Sequence, residues 1–289
     1  MAKSSPRRKT ESMMTGVLKR LSKNKLAMAG GVILLVIILA AIFAPALTPY
    51  TYEQMDGAHI LEGPSRAHIC GTDLFGRDMF TRLLYGARYS LALGFISVLV
   101  SQFFGVIIGS VVGYYGGTLE NVVMRVLDVI QSIPGTLLTI TVATVFGNGF
   151  GNTVLALAVS HIPGSSRTTR ALVLSVRKNE YLEAAEACNC SDGRKIFSHI
   201  LPNIFSYMIV SFATATAYTI LQAASLSYIG LGVQPPTPEW GALLTGARDY
   251  VRDYTYLLIF PCICIALTVL SLNLLGDGLR DALDPKMKK

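Results

Sequence analysis

Charge is scarce in this 289-residue chain: Asp, Glu, Lys and Arg together make up 15% of it, while 52% is hydrophobic. Five stretches hold no charged residue at all, at 26–52, 89–119, 129–166, 200–238 and 254–276. A soluble domain has no use for uncharged runs of that length, whereas a helix crossing the hydrocarbon core needs about 20 apolar residues. Histidine is also sparse. The four His are scattered, with no paired ligands at metal spacing and no nucleophile–base constellation, so no catalytic or metal site is expected. No Gly-rich loop ending in Gly-Lys-Ser or Gly-Lys-Thr occurs, so no nucleotide or other cofactor is expected on this chain. Of the five cysteines, only Cys70 falls in a segment expected outside, which leaves it no partner for a disulfide there. Neither Cys188-x-Cys190 nor Cys262-x-Cys264 has the further ligands of a zinc site.

The apolar runs predict an all-α polytopic membrane protein with six spans, at about 26–47, 89–114, 121–146, 152–172, 204–229 and 254–275. The third run is divided by the turn Gly147-Asn148-Gly149-Phe150-Gly151-Asn152. The organisation is a basic tail (1–25), a first transmembrane helix (26–48), an extracytoplasmic segment (49–88), a five-helix core (89–276) with a loop at about 173–203, and a short tail (277–289). Residues 1–25 carry eight Lys or Arg against Glu11, which places the N-terminus in the cytoplasm. An even number of crossings puts the C-terminus there too, with the basic loop after span four. The N-terminal apolar core is longer than a signal peptide's and reads as a retained anchor. The pI of 9.2 reflects this inside bias and gives no reason to expect nucleic acid.

The loop at 180–203 is the most informative segment. Glu180, Glu183 and Glu186 recur every third residue as an acidic stripe, while Ala184, Ala185 and Cys188 give a small-residue face. Turn formers at 189–193 divide it into two short helices. In the second, Ile196, Phe197, Ile200 and Leu201 fall on one face before Pro202 interrupts the run. Glu183-Ala184-Ala185, a turn residue at Asn189 and Ile200-Leu201-Pro202 resemble the EAA loop of ATP-binding-cassette importer permeases, which docks a coupling helix into a cytoplasmic ATPase. The family usually has Gly where this chain has Asn189, and Asn also tolerates the left-handed conformation that ends a helix.

Three further segments narrow the resemblance to the C-type permeases of dipeptide, oligopeptide and nickel importers. They are Cys70-Gly-Thr-Asp-Leu-Phe-Gly-Arg-Asp-Met-Phe-Thr-Arg-Leu-Leu-Tyr-Gly-Ala-Arg-Tyr-Ser-Leu91, Ser225-Leu-Ser-Tyr-Ile-Gly-Leu-Gly-Val-Gln-Pro-Pro-Thr-Pro-Glu-Trp-Gly241 and Leu275-Gly-Asp-Gly-Leu-Arg-Asp-Ala-Leu-Asp-Pro285. The resemblance implies a multi-pass subunit of a bacterial or archaeal cytoplasmic membrane, in a heterodimer with a B-type permease. Two ATP-binding subunits and an extracytoplasmic substrate-binding protein complete the importer, and ATP is used by the partner subunits. A peptide is the substrate it implies first, with nickel as the alternative. A secondary carrier or intramembrane enzyme is the reading from another class. A carrier calls for mid-membrane carboxylates, and Asp128 is the sole acid inside an expected span.

Candidate residues follow on each side of the membrane. ATPase coupling falls to Glu183, Ala184, Ala185, Asn189 and Pro202. Asp73, Arg77 and Asp78, around a tight turn in which Arg77 and Asp78 pair locally, are read either as a self-satisfied fold or as a contact for the binding protein. Trp240, the single Trp, reads first as an anchor at the outer membrane boundary and second as a contact residue. Within the membrane, Arg125 and Asp128 lie three apart on one face of span three, either as a mutual ion pair or as a gate. Pro163 and Gly164 are expected to break span four beside His161. Thr214, Thr216 and Thr219, with Ser165, Ser166, Thr168 and Thr169, offer hydroxyls for a substrate pathway or for helix packing.

Overall fold

The computed structural model describes residues 19–283, which are helical with long and short connections and contain no named strand. The principal elements are α1 (Lys25–Ile42), α2 (Met79–Tyr115), α3 (Gly117–Gln131), α4 (Gly135–Phe146), α5 (Phe150–Val176), α6 (Glu180–Ala187), α7 (Leu201–Tyr228), α8 (Trp240–Ala247) and α9 (Tyr256–Leu283). The basic residues at 3–9 and at 286–289, on which part of the sidedness argument rests, lie outside the described residues.

Among the described residues, four helices are long and apolar enough to cross a membrane, or five if α3 and α4 count as one span. The helices assigned to these spans are α1, α2, α7 and α9. The expected third span is bent by 83° between α3 and α4, where Pro134 cannot donate a backbone hydrogen bond and disfavours a helical Ile133. The expected fourth span corresponds to α5. Its 27 residues are long enough to cross, but His161, Arg167 and Arg170 make it more polar than the other four.

Helix contacts fix the relative directions. Along α2, Gly105, Gly109 and Gly113 meet Ser165, Ser166 and Val173 of α5 in the same order, so the two helices run parallel. Parallel neighbours require the chain between them to return, and α3 with α4 is that return despite its bend. On α2 in the opposite sense, Gly94 meets Ile220 of α7 and Gly86 meets Trp240. Gly278 of α9 meets Ala27 of α1, so the two ends of the described chain lie together.

The stripe Gly105-x-x-x-Gly109-x-x-x-Gly113 lets α2 and α5 approach closely along their seam. A Cβ on Gly109 would collide with the Ser166 carbonyl oxygen and the Thr169 side chain. Lipid tails are as apolar as the helices themselves, so association inside a bilayer depends on such close packing rather than on hydrophobic burial.

Two boundaries differ from the sequence expectation for local reasons. Helix α2 begins at Met79, ten residues before the expected span, because Asp78 caps it by accepting from the Thr81 amide at 2.7 Å. Helix α5 is not broken at Pro163. The proline is buried inside a continuous helix, and the loss of one backbone donor does not stop the flanking turns.

Candidate coupling surface and intramembrane polar residues

At one end of the bundle, α6 stands out from the surface with Leu182 as its single buried residue. Glu183, Ala184, Glu186 and Asn189 are exposed and Ala185 is half-buried, so the small face is open. Asn189 has φ of 56°, the left-handed conformation expected of a helix-ending residue. Its amide donates to the Glu186 carbonyl at 2.8 Å, and the Cys190 amide reaches back to the Ala185 carbonyl at 3.0 Å. These bonds use carbonyls that a helix end otherwise leaves unpaired.

The chain then enters a π-helical turn, Lys195–Ile200, which leads directly into α7. Pro202 therefore does not interrupt this helix but alters its register. Lacking an N–H, it cannot serve the Ser198 carbonyl, and the Leu201 amide bonds five residues back to Ile196. The altered register buries Ile196 and Ile200 but turns Phe197 outward, 70% exposed, so the expected four-residue apolar face is not formed. Leu182, Ile196, Ile200, Ile204 and Val173 make an apolar base beneath α6. Burying Leu182 contributes about 2 kcal/mol to holding α6 on that base.

A polar clasp adds to it. Asp192 accepts from the Tyr114 hydroxyl of α2 at 2.7 Å and from Lys195 Nζ at 3.1 Å. The Tyr114 bond, followed by Lys195, holds the Asp192 carboxyl below its ordinary value, and Lys195 is shifted above its own by the same two partners. The sequence reading missed Tyr114, Asp192 and Lys195 because their meeting joins positions 78 or more apart.

The expected Arg125–Asp128 pair is not formed. Asp128 pairs with Arg167 of α5, and Glu120 pairs with Arg170. Both bridges pin α3 to α5 at a partly exposed site, where such pairs stabilise little. Arg125 is exposed on α3.

His161 meets Gln222 of α7, with Nε2 2.9 Å from Oε1. The Gln222 amide donates to Thr139 Oγ1 at 2.9 Å, and Thr139 donates to Ser160 at 2.9 Å. Thr219 lies 3.4 Å from the same His161 nitrogen. This network links α4, α5 and α7, and satisfied polar groups of this kind specify one arrangement of helices. Gln222 is the sole amide side chain within the apolar run 204–229, which is the signal that marks it.

The hydroxyls separate into two groups. Ser166 is fully buried and bonds back to Ile162, while Thr216 bonds back to Phe212 and borders a largely apolar groove with Leu34, Phe95 and Phe212, with Arg88 at its margin. Those two pack helices. Thr214 and Thr168 also bond back to their own helices, but they line a cavity of about 430 Å³ with Ser206, Ser211, Asp277 and Arg280.

The outer candidates are interior residues. Asp73, Arg77 and Asp78 are each about 5% exposed or less. Arg77 pairs with Asp73 at 2.7 Å and not with Asp78, because Asp78 is engaged as the α2 cap and by His68 at 2.9 Å. Trp240 is likewise buried, in a core with Met79, Leu83 and Leu257, and its indole donates to the Leu83 carbonyl at 3.0 Å. A buried ring with a satisfied N–H is neither a boundary anchor nor an exposed contact. Glu239, which the sequence reading left aside, caps α8 by accepting from the Gly241 and Ala242 amides, and Ser90 bonds it from α2.

Apolar helices long enough to cross a membrane, with a short exposed helix at one end, define the architecture of a multi-pass membrane protein. Residues 105–289 match the family described as binding-protein-dependent transport system inner membrane component, and residues 12–64 match the N-terminal TM domain of oligopeptide transport permease C. The chain belongs to the binding-protein-dependent transport system inner membrane components, and is a transport component rather than an enzyme. It is 43% identical over 270 residues to the dipeptide transport system permease protein of Alkalihalophilus pseudofirmus, covering 93% of this chain and 89% of that relative. It is 44% identical over 271 residues to the glutathione transport system permease protein of Pectobacterium atrosepticum, covering 93% and 90%.

Proposed function

We propose that the chain is one membrane half of an ATP-driven importer of short peptides, paired with a second permease of B type. Two cytoplasmic ATPase subunits supply energy, and an extracytoplasmic binding protein delivers the substrate. The relatives' substrates, a dipeptide and glutathione, are both short peptides, which favours this class over nickel. Both termini and α6 lie on the cytoplasmic side in this reading, as the basic residues of the loop after α5 favour.

The observation that carries the reading is the form of α6: one buried leucine on an apolar base, and a face of exposed Glu183 and Ala184 with half-buried Ala185, ended by left-handed Asn189. Small side chains let a partner's cleft approach the backbone closely, while the apolar base and Tyr114 clasp transmit its displacement to α2 and α7. Thr214 and Thr168, beside Asp277 and Arg280 in the same cavity, offer hydroxyl oxygens that can accept from passing peptide N–H groups.

Reconstitution of the chain with its partner permease, ATPases and binding protein tests coupling. Ala185→Trp is expected to insert normally but to reduce uptake and substrate-stimulated ATP hydrolysis to the basal level. Wild-type rates for both in that variant would remove α6 from the docking contact.

A further inference from the structure

The segment before α2 holds a cluster that the importer reading does not use. His59, Glu62 and His68 each offer a ligand atom, and the three atoms lie within 4.8 Å of one another. The cluster sits near the start of α2, whereas the coupling surface sits at its other end, so about 55 Å of helix separates them.

Hydrogen bonding determines which nitrogens are free. His59 Nδ1 lies 2.8 Å from Asp56 Oδ2, and His68 Nδ1 lies 2.9 Å from Asp78 Oδ1. An ionised carboxylate only accepts, so each Nδ1 carries the proton and each Nε2 lone pair is available to a ligand once the ring is neutral. A carboxylate behind an imidazole fixes the ring and raises its basicity, the arrangement that supports metal-binding histidines. Asp78 is itself held by the Thr81 amide and hydroxyl.

The backbone that carries the ligands is also fixed. Thr72 Oγ1 donates to the His59 carbonyl at 2.5 Å and accepts from the Glu62 amide at 2.8 Å, which clamps both ends of the turn. Leu61, between the ligands, has φ of 54°, uncommon for a non-glycine residue. His68 is buried against Tyr50, at a ring separation of 5.3 Å. His59 and Glu62 are partly exposed, with His59 Nε2 3.9 Å from Glu62 Oε2.

We propose that His59, His68 and Glu62 form a binding site for a divalent transition-metal ion of the zinc class, on the side of the membrane opposite the coupling surface. Two imidazoles and one carboxylate suit zinc, nickel and cobalt better than calcium or magnesium, which prefer oxygen ligands. Tetrahedral zinc with ligands at about 2.0–2.1 Å needs donor atoms roughly 3.4 Å apart. Rotation of the half-buried Glu62 side chain, with a small shift of the His59–Asp56 pair toward the buried His68, closes that gap. Three protein ligands leave the fourth position for water or for a donor from outside the chain. Binding takes up the Nε2 lone pairs, so any proton on Nε2 leaves to solvent while the Nδ1 protons stay donated to Asp56 and Asp78, and no oxidation state changes.

Zinc chloride titrated into the purified full chain, followed by calorimetry, tests this. One equivalent is expected to bind, with affinity falling at least about 100-fold in His59→Ala and Glu62→Gln and about 10-fold or more in Asp56→Asn. His199→Ala and Cys70→Ser, which change donors outside the cluster, are expected to match wild type. His59 is exposed, so its replacement leaves the fold intact, and elution as a monodisperse species checks this. Zinc-edge absorption of the wild-type complex is expected to report two imidazoles and no sulfur. Failure of the wild type to bind one equivalent, equal affinity in His59→Ala, or a sulfur ligand at the edge would each overturn the site.

Discussion

Tyr114, in the last turn of α2, donates its hydroxyl to Asp192 beyond the short helix α6, at 2.7 Å. Lys195 stands over the same ring, 5.7 Å from its centroid, and completes a clasp between a membrane helix and the loop that carries the proposed coupling surface. Removing the hydroxyl while keeping the ring isolates this bond. Tyr114→Phe is expected to cost about 1 kcal/mol locally, the net worth of one hydrogen bond. Hydrogen exchange in peptides spanning 180–200 should then rise about fivefold, with α2 itself unchanged. Unchanged exchange in the loop would show that the apolar base alone holds it.

The same clasp gives a pH window. Asp192 is held below its ordinary value of 3.8, so its contribution is fully present above that value and is lost as pH falls through the lower folded value. Lys195 is held above its ordinary 10.5, so its contribution is present below that value and is lost as pH rises through the folded one. Anisotropy of a fluorophore on exposed Cys188, in a Cys190→Ala background, is expected to stay constant from about pH 4 to pH 10 and to fall outside those limits. In Tyr114→Phe the acidic midpoint should move up toward the ordinary carboxylate value.

Gly109 lies against the Ser166 carbonyl, with no room for a side chain. Gly109→Leu is expected to separate α2 from α5 and abolish the folded monodisperse protein, and Gly109→Ala to lower the melting temperature by several degrees. Gly151→Ala, at a helical position with open space around it, should leave melting unchanged. Equal melting temperatures for Gly109→Ala and Gly151→Ala would mean that the α2–α5 seam adjusts freely.

Thr214 and Thr216, two residues apart on α7, are expected to behave differently. With the native cysteines replaced by alanine, Thr214→Cys should react with a water-soluble thiol reagent from the polar cavity. Thr216→Cys, beside the apolar groove, should stay unreacted. If trapping the ATPases with nucleotide alters Thr214→Cys labelling by severalfold, the cavity belongs to the transport route. Equal labelling at both positions would return Thr214 to helix packing.

What the sequence determined by itself rests on local rules. Uncharged runs mark the membrane helices because desolvating charge in hydrocarbon is costly. Asn189 could be read as a helix end because its left-handed backbone depends on its own side chain. Tertiary structure decided the rest. Arg125 and Asp128 share a helix face by spacing, yet Asp128 meets Arg167 because α5 brings a competing cation from 39 residues away. Trp240 and Asp73 are chemically suited to an exposed boundary, but neighbouring helices supply the partners that allow them to be buried. His59, Glu62 and His68 show no metal spacing along the chain. They converge because Thr72 folds one turn onto another, a contact that no residue pattern encodes without knowledge of what lies across the gap.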